Sequence, residues 1–399
     1  MLKQMKTSSL LLYMIIVSMA IAPAFALGDG NRNLFLIGVM TLSPVVLFKY
    51  HNFYKSEIWL LLFMLSIIFI PALHHPESMR WSTVMYSLMY GFTFLAYSHL
   101  LRLRRFTIEN YLTLLKCLIY AYTIVLVIQQ ICVFTGLPIF NLSNYDPNEP
   151  FKLNSLSAEP SHSARIVALL MYCFIIIKEA VVNRKYNFSL DLKEDKLVWV
   201  GFLWTMLTMG SGTAFLFIGI VLLKFMRFKN IMALSILAGS IVYGANAIGV
   251  HAFDRTFDVI KASLTLDINT IINTDLSAAI RIAPMIVLST MVNFVTVDGL
   301  FGHGIDYVGT FMSDYIPAVP EHFSAGGMLV LWMEYGFIPF ILFVTFSLNA
   351  IYQKGQYLNL IFWFMLVFMY GVNGQIVWLT IILLYTSNYF YNKRTGVNI

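Results

Sequence analysis

The chain has 399 residues, of which 59% are hydrophobic and 12% are charged, whereas an ordinary soluble domain is about 45 to 50% apolar and about 25% charged. This composition excludes an ordinary soluble domain and indicates a membrane protein. The formal net charge of +6 does not indicate a nucleic-acid-binding protein, because the lysines and arginines form no basic face with interleaved aromatic residues. Lipid headgroups are their expected partners.

Apolar segments of helical length recur along the whole chain. A helix needs about 20 apolar residues to cross the hydrocarbon core of a bilayer. The sequence therefore predicts an all-α polytopic membrane protein, residues 1–399 forming one membrane domain, with about twelve transmembrane helices. The predicted spans are residues 8–27, 33–48, 57–73, 81–101, 111–136, 162–182, 196–209, 212–226, 230–249, 326–350, 357–371 and 374–391.

The positive charges are distributed unevenly between alternate loops. If the N-terminus is cytoplasmic, the cytoplasmic loops hold most of the lysines and arginines, among them the cluster at 102–105 and the pair Lys393 and Arg394. This bias is the positive-inside signal and predicts that both termini are cytoplasmic. Two loops on the outer side are then long, residues 137–161 and residues 250–325.

The later outer loop contains a semi-apolar segment, "DLSAAIRIAPMIVLSTMVNFVTV", which is nearly long enough to span. Arg281 and Pro284 interrupt its start. A crossing here would also move the C-terminal lysines and arginines to the outer side, against the charge bias. We therefore predict an interfacial or re-entrant helix, with Asp275 or Thr274 as its N-cap.

Polar residues gather in "SLSAEPSHSAR", just before the sixth predicted span. Pro160 suits the first helical position, so the helix is expected to begin there with Glu159 beside its cap. The free N–H groups of this helix start, with Ser161 and His162, favour an anion. Arg165 opposes the helix dipole by about 0.3 to 1 kcal/mol and therefore requires an anionic partner. That partner is either Glu159, a lipid headgroup, or a phosphate or diphosphate of a substrate.

Four further candidates lie in or just after the later outer loop. Arg281 either reaches lipid phosphate or faces a site, where its five donors suit a diphosphate. His322 is either a solvated loop histidine or a base that accepts a proton from a hydroxyl near neutral pH. Glu334, inside a predicted span, is either a latch between helices or a functional acid. His303 belongs to a glycine-rich turn, "LFGHGIDYVG", from which it could reach a substrate.

Two weaker groups of residues also face the outer side. His74 and His75 are poor candidates for metal ligands, because neighbours on a short turn rarely converge and the sequence shows no third ligand. No metal site is therefore predicted. Three tyrosines on outer loops are expected to stack on sugar rings, namely Tyr145, Tyr307 and Tyr315.

The outer position of these residues restricts the substrate. ATP and sugar nucleotides are cytoplasmic, and the inner loops contain no GxxxxGK[ST] and no GxGxxG that opens a helix. An enzyme active on the outer face would therefore use an activated substrate that is already linked to a lipid.

The sequence resembles the Wzy-type bacterial O-antigen and exopolysaccharide polymerases, which are related to the O-antigen ligases. The likeness rests on the Glu159-Pro160-Ser161 triplet that opens a span, Arg281 within one dominant late loop, the Gly302-His303-Gly304 triplet, and the segment from His322 through Glu334 to Gly336. By motif it covers about residues 150–340, and elsewhere it rests on hydropathy and the number of spans.

The resemblance implies a GT-C-like fold with one large periplasmic loop, in the bacterial inner membrane. It implies a metal-independent, inverting glycosyltransferase, without cofactors, that polymerises undecaprenyl-diphosphate-linked oligosaccharides. Expected partners are membrane lipids, a chain-length regulator and a flippase. The predicted catalytic residues are Arg281, His322 and Glu159, and the predicted residues that bind the lipid diphosphate are Arg165, His162, Ser161 and His303.

Two other functions are compatible with the same features. An O-antigen ligase has the same architecture and donor but transfers the glycan to the lipid A core. A polysaccharide flippase or transporter would also have about twelve spans and intramembrane charges, but it would carry an internal repeat with broken helices in matching halves. The sequence shows no such repeat, and its polar residues concentrate in one late loop.

Overall fold

The computed structural model describes residues 2–23, 32–49, 54–103, 106–141, 149–225, 252–316, 319–320 and 322–395. Within these ranges the regular elements are helices and there is no β-strand, which confirms the predicted all-α class. The α-helices are α1 (Leu2–Ala20), α2 (Leu34–Met40), α3 (Ser43–Lys49), α4 (Ile58–His74), α5 (Trp81–Arg102), α6 (Ile108–Thr135), α7 (Pro160–Val182), α8 (Phe188–Glu194), α9 (Lys196–Thr208), α10 (Gly212–Leu222), α11 (Ala252–Leu264), α12 (Ile268–Thr274), α13 (Leu276–Met291), α14 (Val297–Phe301), α15 (Met312–Tyr315), α16 (Met328–Tyr335), α17 (Phe337–Ile351), α18 (Leu358–Trp363) and α19 (Gln375–Thr395).

Two of the described helices are long and apolar enough to cross a membrane, Lys55–His74 and Ile108–Thr135. The local sequence explains the second of these. Thr107 caps its start by accepting a hydrogen bond from the Asn110 amide, and Gly136 ends it in the left-handed conformation. Shorter apolar helices of 10–17 residues occur elsewhere in the described residues. The prediction of about twelve spans stays a prediction.

Two predicted spans are wrong as single helices. Residues 33–48 form α2 and α3, separated by a turn at 41–42. Pro44 accounts for this break, because proline has no amide hydrogen and its ring clashes with the carbonyl four residues earlier. Residues 326–350 form α16 and α17, divided at Gly336, whose φ of 92° and ψ of 172° are not helical.

Two predictions lie outside the described residues. They are the span at 230–249 and the sugar-stacking role of Tyr145. The same holds for residues 24–27 of the first predicted span.

The chain divides into two compact units. The first unit comprises Met1–Val39, Leu103–Phe257 and Tyr385–Ile399, and the second comprises Met40–Arg102 and Asp258–Leu384. In the first unit, α7 packs against α6, α9 and α10. Its residues from Ser163 to Ala180 are all buried, including the charged Arg165, Lys178 and Glu179.

The second unit combines α4, α5 and α17 with most of the predicted outer loop. The loop has an apolar core of its own, to which α16 contributes. Its buried members are Ala283, Leu288, Val308, Met312, Ile316, Val319, Leu329 and Met333. The first part of the predicted span 326–350 thus belongs to the folded loop.

Candidate functional site

The predicted site residues of the first unit lie at the start of α7. The helix begins at Pro160 with Glu159 as its N-cap, as the sequence predicts. The Ser161 hydroxyl donates a hydrogen bond of 3.1 Å to Oε2 of Glu159. Glu159 and His162 are half-buried, whereas Arg165 is only 4% exposed. The carboxylate and the imidazole are therefore the groups at this helix start that a ligand can reach directly.

Buried amides fix the chain that leads into this helix. Asn154 donates a hydrogen bond from its side-chain Nδ2 to the backbone carbonyl of Ala158 at 2.7 Å. The backbone carbonyl of Asn154 accepts a hydrogen bond from the Ser163 hydroxyl at 2.5 Å. The amide of Ser155 donates to Gln129 on α6 at 2.8 Å. These bonds satisfy the polar groups of a buried irregular segment and hold Glu159 in place.

Arg281 lies on α13, which begins after Asp275. The Asp275 carboxylate caps this helix by accepting a 2.9 Å hydrogen bond from the Ala278 amide, which confirms the predicted N-cap. Ala279 and Ala283 are fully buried, and Arg281 lies about 200° around the helix from Ala279. Its Nη1 donates to the Ser277 hydroxyl at 3.0 Å. The half-buried guanidinium thus projects from the side of α13 opposite to the buried alanines.

Two of the segments that carry the family resemblance meet in the second unit. The amides of His303 and Gly304 donate to the carbonyls of Met333 and Glu334, at 2.9 and 3.2 Å. We call this contact the glycine crossing, formed by residues 300–304 and 333–336. A Cβ on Gly302 would lie 2.3 Å from the Glu334 carbonyl oxygen, and one on Gly336 would lie 2.2 Å from that of Leu300. The backbones therefore approach each other more closely than a side chain would permit.

The Glu334 side chain is buried at this crossing. Its carboxyl group accepts hydrogen bonds from the backbone amides of Asp306 and Val308 and from the Ser324 hydroxyl at 3.5 Å. The sequence predicts for Glu334 either a latch between helices or a functional acid. This geometry favours the latch, but among the described residues Glu334 is hydrogen-bonded to the loop and not to a second helix. A buried carboxyl group with these donors fixes the loop on α16.

His303 stands at the surface end of the crossing. Its ring stacks on Tyr307, with centroids 4.5 Å apart. Burial lowers the pKa of His303 below its usual value, although the Asp298 carboxylate partly opposes the effect. The imidazole is therefore neutral at neutral pH and offers both a donor and an acceptor.

An aromatic row continues from His303 along the surface of the loop. Tyr307 contacts Phe311 at 5.4 Å between centroids, and Phe311 contacts Tyr315 at 6.1 Å. Tyr307 is 37% exposed and Tyr315 is 45% exposed. The aromatic row, defined as Tyr307, Phe311 and Tyr315, can offer apolar ring surface and hydroxyl groups to a sugar.

His322 is exposed and adopts a positive φ of 63°. Gly309 permits this arrangement, because a Cβ there would lie 3.0 Å from the His322 carbonyl oxygen. The backbone at His322 thus packs closely against the backbone at Gly309.

The structure also groups residues that are far apart in the sequence. Nε2 of His74, at the end of α4, lies 3.3 Å from Oδ1 of Asp298. Arg80 forms an ion pair with Asp306. Sequence reasoning missed both contacts, since each joins residues more than 220 positions apart. The one available signal was the acidic character of residues 298–321, which contain four carboxylic acids and no lysine or arginine.

No protein-family model matches the chain, and no curated protein or solved structure matches it.

Proposed function

We propose that the protein polymerises polyprenyl-diphosphate-linked oligosaccharide repeat units into O-antigen or a related surface polysaccharide. The reaction would take place at the periplasmic face of the bacterial inner membrane, in which the chain would be embedded by multiple passes. The observation that carries the proposal is the glycine crossing, which brings Gly302-His303-Gly304 against Glu334 and Gly336. Two segments of the family resemblance, separate in the sequence, thus form one contact beneath a surface histidine and the aromatic row.

The contact between α4 and the late loop supports the proposed topology. The charge bias assigns both the end of α4, at His74, and the loop around Asp298 to the outer side. These two segments lie in contact within the second unit, as residues on one side of a membrane must be able to do. The two helices of spanning length and the apolar composition support membrane insertion.

The proposed reaction is a displacement at the anomeric carbon of the donor sugar. The acceptor hydroxyl oxygen forms a bond to this carbon as the bond to the polyprenyl diphosphate breaks. The leaving diphosphate takes the electron pair, and the hydroxyl proton passes to a base, either Glu159 or His322. Most of the catalytic effect would come from stabilising the diphosphate charge and from positioning the hydroxyl.

Each arginine is assigned to diphosphate binding within its own unit, and the two would act in different ways. Arg281 is half-buried and offers a fork of donors for direct contact. Arg165 is buried below the start of α7. We therefore propose that it provides a positive electrostatic potential at Glu159, Ser161 and His162 and does not contact the diphosphate directly. A charge acts over several ångströms where the dielectric constant is low. His303 would contact the sugar next to the aromatic row.

The decisive experiment compares surface glycan from a deletion strain with glycan from the strain complemented by the wild-type gene. Glycan limited to one repeat unit in the deletion strain, with a ladder restored by complementation, would support polymerisation. Long lipid-linked polymer that never reaches lipid A would identify a ligase instead. Unpolymerised units that accumulate on the cytoplasmic leaflet would identify a flippase, and either result would overturn the proposal.

Replacing Tyr307 with alanine should weaken acceptor binding without stopping catalysis. Stacking on an aromatic residue contributes about 0.5 to 1.5 kcal/mol, so we expect the acceptor KM to rise about twofold to thirteenfold while kcat stays close to the wild-type value. Tyr307→Phe, which keeps the ring, should retain most of the affinity. The measurement is chain extension by purified protein at varied acceptor concentration. An unchanged KM in Tyr307→Ala would rule out a sugar platform at this position.

A further inference from the structure

We propose that His74, His75 and Asp298 form a binding site for a divalent transition metal, with Zn²⁺ as the expected ion. The site joins the end of α4 to the late loop within the second unit. It does not depend on the proposed function, because none of these three residues takes part in the proposed glycosyl transfer.

The three donor atoms already lie close together. One ligand atom from each residue can be chosen so that all lie within 4.8 Å of one another. Nε2 of His74 and Oδ1 of Asp298 are 3.3 Å apart. Zn–N and Zn–O bonds of about 2.0 to 2.2 Å in a tetrahedron place the ligand atoms about 3.3 to 3.6 Å apart. The pair therefore has the spacing of zinc ligands, whereas the remaining separations, which are within 4.8 Å, would have to shorten by up to about 1.5 Å on binding.

His75 has the hydrogen bonding expected of a metal ligand. Its Nδ1 lies 3.2 Å from Oε1 of Glu77, so Nδ1 carries the hydrogen and Nε2 keeps its lone pair. Nε2 is buried and has no hydrogen-bond partner among the described residues. Histidines that bind metals commonly donate their other ring N–H to a carboxylate in this way. A buried nitrogen without a hydrogen-bond partner is unfavourable, and a metal ion would supply that partner.

Two further contacts join the turn after α4 to the loop near the three ligands. The Arg80–Asp306 ion pair and the close approach of Gly304 to Ser78 hold the turn after α4 against the loop. A Cβ on Gly304 would lie 2.4 Å from the Ser78 hydroxyl oxygen. Rigid support of this kind keeps ligand atoms near a productive geometry.

Among the described residues, His303 is a candidate for a fourth ligand. Its Nδ1 lies 3.9 Å from the second carboxylate oxygen of Asp298. Histidine and aspartate ligands together suit zinc better than calcium or magnesium, which prefer oxygen. The consequence of binding is a cross-link between the end of α4 and residues 298–303.

The test measures zinc bound to the full-length protein, purified in detergent without a histidine tag, stripped with a chelator and titrated with ZnCl₂. We expect one zinc ion per wild-type chain and none above background in His75→Ala or Asp298→Asn. Glu77→Gln, which alters only the residue that orients His75, should weaken zinc affinity about tenfold to a hundredfold. His322→Ala, which removes an exposed histidine from the same loop, should bind zinc like the wild type.

A second measurement separates loss of the site from loss of folding. Zinc should raise the unfolding temperature of the wild-type protein but not that of His75→Gln or Asp298→Asn, and all three should unfold alike in the presence of a chelator. The absence of zinc from the wild type would overturn the proposal. Equal zinc content in the wild type, His75→Ala and Asp298→Asn would also overturn it. Glycan polymerisation is measured separately, so failure of the zinc site would leave the proposed function intact.

Discussion

Replacing Arg281 with alanine is expected to reduce chain growth by about a hundredfold to a thousandfold, the effect of removing one donor that stabilises a developing negative charge. The guanidinium projects from the side of α13 opposite to the buried Ala279 and Ala283. Its loss should therefore leave the apolar core of the loop unchanged. Surface glycan from a complemented deletion strain and single-turnover transfer by purified protein would both measure the effect.

The comparison with lysine separates charge from geometry. Arg281→Lys keeps one positive charge but loses the planar fork that matches a diphosphate, so activity should lie between that of the wild type and that of Arg281→Ala. Lys261→Ala is a suitable control, because Lys261 is an exposed cation on α11 within the same predicted loop. A normal glycan ladder from Arg281→Ala would exclude a direct role for Arg281. A defect in Lys261→Ala would point to general loss of surface charge.

Local signals predicted the starts of the two helices that carry the candidate arginines. Pro160 with Glu159, and Asp275 with the apolar residues that follow it, act through neighbouring backbone groups within one turn. Such signals require no knowledge of the rest of the fold. The burial of Arg165 was not predictable in the same way, because it depends on the helices that surround α7.

Contacts between distant segments account for what the sequence did not reveal. The apolar run at 326–350 predicts one helix, but the loop crosses it at Gly336, and hydropathy contains no information on this crossing. Likewise, Asp298 reaches His74 only because the loop folds back on α4. The sequence near His74 and His75 shows no third potential metal ligand. The tertiary structure supplies one, Asp298, from the distant loop.

Replacing Gly302 with alanine should destabilise the second unit strongly. The residue has a positive φ of 87°, a conformation that costs a non-glycine residue about 1 to 3 kcal/mol. The added Cβ would also lie 2.3 Å from the Glu334 carbonyl oxygen, so the crossing backbones would have to separate. We expect a loss of at least about 3 kcal/mol in unfolding free energy, measured by thermal or denaturant unfolding of the detergent-purified protein. Gly371→Ala is the control, because its Cβ would contact nothing within 4 Å.

The double variant with Gly336→Ala tests whether the two glycines serve the same contact. Gly336→Ala alone should be similarly destabilising, since its Cβ would lie 2.2 Å from the Leu300 carbonyl oxygen. If each substitution separates the same two backbones, the second should cost much less once the first is present, and the two effects should fall short of additivity by more than about 0.5 kcal/mol. Additive effects would mean that the two positions are strained independently. The glycine crossing would then not be one structural unit, and it would no longer support the proposed function.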